Sequence, residues 1–74
     1  MEEKLLIILN EMMSSKGVKP LLKIEREYSL RTDLGFDSFD LAELTVRIED
    51  EFAIDIFEDG LVNTLGEVVD KIIL

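Results

Sequence analysis

Apolar residues recur at helical spacing in three separate stretches of the chain. In the first, Leu5, Ile8, Leu9 and Met12 fall at i, i+3, i+4 and i+7, and Leu6 and Met13 widen the stripe. That period predicts an amphipathic helix over about residues 2–15. Glu2 and Glu3 stand where the helix dipole favours anions, while Gly17 and Pro20 mark the end. A second stripe, Leu41, Leu44, Ile48 and Phe52, predicts a helix from near Ser38 to about Phe52. Asp40, Glu43, Arg47, Asp50 and Glu51 fall off this stripe and are expected to face water; Val46 is apolar yet lies away from the stripe centre. The third, Leu65, Val68, Val69, Ile72 and Ile73, lines a last helix running from about Leu65 to the C-terminus. Thr64 is its expected N-cap, and Glu67, three residues on, completes a capping box.

Between the first two helices, residues 17–37 show no period. A connection of that length needs its own anchors or a function. Leu21, Leu22, Ile24, Tyr28, Leu30 and Leu34 are the candidate anchors, and a helical turn fits near 21–27. Residues 57–62 are a candidate short helix. Ala53 to Phe57 alternates in polarity but is too short to build a sheet alone. The expected fold is all-α: a single domain over residues 1–74, a small helical bundle of three main helices plus one short helix, with a long loop between the first and second helices.

Composition then removes function classes. The 74 residues include neither cysteine nor histidine. Disulfides and thiolate zinc sites are excluded, and so is the commonest general base and metal ligand. With no paired-base arrangement either, an enzyme is the least expected class. No apolar run approaches the about 18 residues of a membrane span, and the acidic opening Glu2-Glu3 is wrong for a secretory signal; the expected location is cytoplasmic.

The net charge of −9 is unevenly spread. Residues 1–32 carry six basic and five acidic side chains, whereas residues 33–74 carry two basic and twelve acidic. Such a field repels nucleic acid and anionic membranes and favours fast, salt-sensitive docking to basic protein patches.

The chemistry is concentrated in Asp33-Leu34-Gly35-Phe36-Asp37-Ser38-Phe39-Asp40-Leu41. Gly35 permits a turn that other residues resist. Asp37 and Ser38 stand at a helix mouth, where short oxygen side chains cap free N–H groups. An isolated Asp-Ser in that position is usually only a cap, but a phosphate joined to Ser38 would also sit at the positive end of the helix.

The wider pattern changes that balance. Asp33, Leu34 and Gly35, then Asp37-Ser38, an apolar residue and Asp40, resemble the attachment motif of the acyl carrier protein family. Further matches run along nearly the whole chain: Gly17-Val18, Leu30, Glu43-Leu44, Ile48-Glu49-Asp50-Glu51-Phe52, Ile54 to Asp59, and Thr64-Leu65-Gly66-Glu67-Val68-Val69. The resemblance implies that Ser38 receives 4'-phosphopantetheine from coenzyme A through a dedicated phosphopantetheinyl transferase. It implies acyl cargo held as a thioester on that arm, and delivery to fatty acid, polyketide or related biosynthetic enzymes with basic docking patches. A chain without a thiol of its own fits that reading, since the cofactor then supplies the reactive group.

The same resemblance makes Asp37, Asp40, Glu43, Glu49, Asp50, Glu58 and Asp59 the acidic face read by partners, with Val46 and Ile56 as apolar contacts inside it, and suggests a monomer. In this family the interior behind Leu44, Ile48, Leu65 and Val69 can also open to hold an acyl chain. Phe36, Phe39, Ala42 and Arg47 depart from the common pattern beside the arm and on the docking face, which makes a specialised carrier plausible beside a housekeeping one.

The alternatives are an aminoacyl or peptidyl carrier, which shares the same arm, and an unmodified helical interaction module. A calcium module does not fit. A loop opening at Asp33 has Ser38 where glycine is required and Leu44 where the closing glutamate belongs. One opening at Asp55 has Phe57 and Gly66 at ligand positions.

Overall fold

The computed structural model describes residues 2–58 and 60–73. The fold is all-α, and its three helices match the three stripes: α1, Glu2–Ser15; α2, Ser38–Phe52; and α3, Leu65–Ile73. Leu5, Ile8, Leu9, Met12 and Met13 of α1 are buried, as are Leu44 and Ile48 of α2 and Leu65, Val68 and Val69 of α3. They join Leu30, Leu34, Phe36, Ile56 and Val62 from the connections in one apolar cluster. Leu41, Phe52 and Ile72 lie half-buried against it, while Val46 and Ile73 are exposed. No polar or charged residue is buried among the described residues, so the core carries no desolvation cost of that kind.

The long connection is held by anchors of two kinds. Leu30 and Leu34 are fully buried, and Leu21, Ile24 and Tyr28 pack partly against the core. Leu22 departs from the expected set: it is 95% exposed. The other anchors are polar. The Asn10 side chain on α1 donates to the Leu21 carbonyl at 3.0 Å and accepts the Leu21 N–H at 2.8 Å. A pair of backbone groups held this way satisfies in a loop what a ladder would satisfy in a sheet.

The same connection supplies acceptors to the start of α3. The Leu65 and Gly66 N–H groups, which have no partner inside their own helix, donate to the Tyr28 and Arg26 carbonyls at 3.0 and 2.9 Å. A Cβ on Gly66 would stand 3.0 Å from that Arg26 oxygen, so any larger residue would crowd this contact and push the Arg26 backbone back by a few tenths of an ångström. The Arg26 guanidinium then reaches along α3 to both oxygens of Asp70, at 2.9 and 3.0 Å. At residues 21–27 the chain makes bends and a turn rather than a helix.

The expected short helix at 57–62 is not formed among the described residues. The Asp55 carboxylate accepts the Phe57 N–H at 2.9 Å, a local bond that competes with helix formation. A single turn follows, and Gly60, at φ +131°, ends it. The Thr64 capping box is present: the Glu67 carboxylate accepts the Thr64 N–H at 3.0 Å, and the Thr64 hydroxyl accepts the Glu67 N–H at 3.2 Å.

Candidate attachment site

The segment leading to Ser38 is built one residue at a time. The Asp33 carboxylate accepts the Ser29 N–H at 2.7 Å, while the Asp33 and Leu34 N–H groups both donate to the Ser29 carbonyl. This closes a tight loop, and Leu34 pins its end in the core. Gly35 takes φ +73°, the left-handed conformation that costs other residues about 1–2 kcal/mol. Phe36 returns to the core at 2% exposure and donates its N–H to the Leu30 carbonyl at 3.0 Å. Phe36 therefore differs from its expected place beside the arm: it is a buried anchor, one residue before the cap.

Asp37 is the N-cap of α2. Its carboxylate accepts the Asp40 N–H at 2.9 Å, and the Asp40 carboxylate accepts the Asp37 N–H at 3.0 Å. This reciprocal box uses aspartate where glutamate or glutamine is the commoner partner. Lys16, just past the end of α1, donates to the same Asp40 oxygen at 2.7 Å. That bond, with the Asp37 N–H next in weight, holds the Asp40 carboxyl below the usual carboxylate range. The bond to Asp40 likewise holds the Lys16 ammonium above its usual range. Ser38 is the first residue of α2; it is exposed, and its hydroxyl makes no hydrogen bond among the described residues. It stands at the edge of a shallow depression of about 240 Å³, lined also by Arg31, Leu41, Ala42, Thr45, Phe57 and Leu61.

The residues expected to form the acidic face divide into groups. Glu49, Asp50 and Glu58 are exposed, and no side-chain partner holds them among the described residues. Asp37 and Asp40 are committed to the cap, and Asp40 also to Lys16. Glu43 accepts from Arg47 at 2.8 Å, and Arg47 also bridges to Glu11 on α1 at 3.1 Å. Val46 is 66% exposed in their midst. Ile56 is not at this surface: it is fully buried, because the turn after α2 rotates it into the core. Asp59 lies outside the described residues. The Lys16–Asp40 latch, the Arg47 bridge and the Arg31 rim escaped the sequence reading because nothing in the helical periods pairs residues across elements. Among the described residues no cluster of side chains is arranged to hold a metal ion.

An exposed serine hydroxyl, unbonded among the described residues, thus stands at a capped helix mouth beside an apolar depression. A family profile described as phosphopantetheine attachment site matches residues 17–72. "Acyl carrier protein" of Exiguobacterium sibiricum is 36% identical over 73 residues, covering 96% of this chain and 92% of that protein. "Acyl carrier protein 3" of Ralstonia nicotianae is 43% identical over 56 residues, covering 73% of this chain and 64% of that protein. No solved structure gives a significant match. The chain belongs to the acyl carrier protein family of phosphopantetheine-binding proteins. Its function is that of an acyl carrier with a 4'-phosphopantetheine prosthetic group.

Proposed function

We propose that Ser38 is the residue to which the 4'-phosphopantetheine arm is joined, and that residues 1–74 act as a single carrier domain, monomeric and cytoplasmic, without catalytic activity of its own. The observation that carries this reading is the Ser38 hydroxyl itself. It is exposed, free of hydrogen bonds among the described residues, and the first residue of a helix whose cap is already filled by Asp37. Because Asp37 and Asp40 complete the cap between them, Ser38 is not needed for it. Its oxygen stays available to an incoming transferase without any bond of the fold being broken.

The arm, when bound, supplies the thiol on which an acyl group is held as a thioester. The chain's own residues fix where that arm begins. Leu34 and Phe36 seat the segment in the core, Gly35 turns it, and the Asp37–Asp40 box and Lys16 hold the helix mouth. Leu41, Ala42, Thr45, Phe57 and Leu61 give the start of the arm an apolar surface to lie on. Tethering raises the local concentration of cargo at each partner's active site. We assign partner docking chiefly to Glu49, Asp50, Glu58 and Val46, with the transferase and biosynthetic enzymes bearing basic patches as partners.

The test is the state of the protein isolated from growing cells. An adduct at Ser38 that hydroxylamine shortens by an acyl group while leaving the arm in place would support the reading and reveal the cargo class. An amino acid or peptide on the arm would move the assignment to an aminoacyl or peptidyl carrier. A wholly unmodified Ser38 in cells that modify their other carriers would favour the plain interaction module.

A further inference from the structure

The charge around Ser38 raises a question that the attachment reading does not answer. A phosphodiester there would carry a negative charge next to the carboxylates of Asp37 and Asp40, in the acidic half of a chain of net charge −9. Lys16, just past the end of α1, is already bound to Asp40 at 2.7 Å. Like charges held close together without a counter-ion are unfavourable.

The three arginines differ sharply in what they hold. Arg26 pairs with Asp70, and Arg47 pairs with Glu11 and Glu43. Arg31 is exposed and has no hydrogen bond or ion pair among the described residues, although acidic side chains outnumber basic ones 17 to 8. Arg31 lines the same depression as Ser38, on a rim otherwise made of Leu41, Ala42, Thr45, Phe57 and Leu61.

Its backbone is also firmly mounted. Leu30, one residue before, is fully buried and bonded through its N–H to the Asn63 carbonyl at 2.9 Å. Thr32, one residue after, donates its N–H to the Ser29 hydroxyl at 3.1 Å. A guanidinium offers a planar fork that matches two phosphate oxygens.

Resting on the attachment reading, we propose that Arg31 is the counter-ion of the phosphodiester on Ser38, a positioning residue that draws the root of the arm across the apolar depression instead of letting it point into solvent. The acidic cap turns the phosphate away on one side, and Arg31 receives it on the other. Loss of the guanidinium frees the arm's root without disturbing the bundle, because no bond of the fold depends on it.

The experiment compares apo and holo forms of the full chain by NMR, after intact mass has shown whether coenzyme A and a phosphopantetheinyl transferase load Ser38. The expected result is that the Arg31 Nε–Hε resonance moves on loading while those of Arg26 and Arg47 stay in place. In Arg31→Gln, the ³¹P resonance of the holo protein should move most of the way to its position in the same protein unfolded in urea, and Arg31→Lys should restore part of the displacement. An unmoved Arg31 resonance on loading, with an unchanged ³¹P resonance in Arg31→Gln, overturns the proposal and leaves Ser38 attachment standing. If Arg31→Gln does not fold, the wild-type apo–holo comparison decides alone. A chain that gains no mass defeats the attachment reading first, and this inference with it.

Discussion

Gly35 and Phe36 illustrate how single residues position the serine. A β-carbon at position 35 would have to adopt φ +73°, so Gly35→Ala should lower stability by about 1 kcal/mol, read by urea denaturation. Its larger consequence should be on the rate of phosphopantetheine transfer, since the turn aims the helix mouth.

Glu67 makes a sharper case, because its effect depends on pH. The N–H groups of Asn63 and then Thr64 hold its carboxyl below the usual carboxylate range. A carboxyl lowered by folding stabilises the fold above its unfolded pKa, and that contribution is lost as pH falls through the folded value. Wild type should therefore be more stable than Glu67→Gln at pH 7, and the gap should close as pH drops through and below about 4. Thermal melts of both proteins across that range check this, and a gap that widened towards acid would contradict the assignment.

At the scale of elements, the helices were legible in the sequence because each carries an apolar stripe at one period and a cap of recognisable chemistry. Leu5, Ile8, Leu9 and Met12 needed only counting, and Thr64 with Glu67 announced the start of α3. The connections were legible only in part. Leu30 and Leu34 are core residues as expected, whereas Leu22 is not, and nothing in a loop without a period separates them. Phe36, expected beside the arm, and Ile56, expected as an apolar contact of the docking face, are both buried for the same reason: the direction of an isolated apolar residue depends on a turn that the pattern does not encode. The place of Ser38 at the start of α2 is legible in its motif, whereas Arg31 on the same rim is not, because that rim is assembled from two connections and a helix.

The end of α2 yields a prediction of its own. Ala53 closes the helix at φ +59°, in the left-handed region, with its N–H on the Glu49 carbonyl at 2.8 Å. Glycine is the usual residue there. Ala53→Gly should raise stability by about 0.5–1 kcal/mol, the relief of backbone strain exceeding the entropy that glycine loses on folding.

The whole molecule has a radius of gyration of 11.0 Å, close to the about 11 Å expected of a folded chain this long. Its stability is expected to total only about 4–11 kcal/mol. A core truncation is a large share of that: Leu30→Ala, emptying a fully buried site in the long connection, should cost about 2–5 kcal/mol.

The surface charge is organised on the same scale. Arg47 ties Glu43 and Glu11 together, and Lys4 pairs with Glu51. On the expected docking face, Glu49, Asp50 and Glu58 are presented without side-chain partners among the described residues. Reversing charge at Glu49 and Asp50 together should slow association with a basic transferase by about tenfold at low salt, and the difference should shrink as salt screens the field. Stopped-flow association rates at several ionic strengths measure both effects.

The most direct measurement of attachment at the Ser38 hydroxyl is intact-protein mass after incubation with coenzyme A and a broad-specificity phosphopantetheinyl transferase, with Ser38→Ala run alongside. The account predicts a single phosphopantetheinyl increment on the wild-type chain and none on the variant. An increment that persists in Ser38→Ala would place the arm elsewhere, and no increment with this or a second, unrelated transferase would contradict attachment at Ser38 altogether.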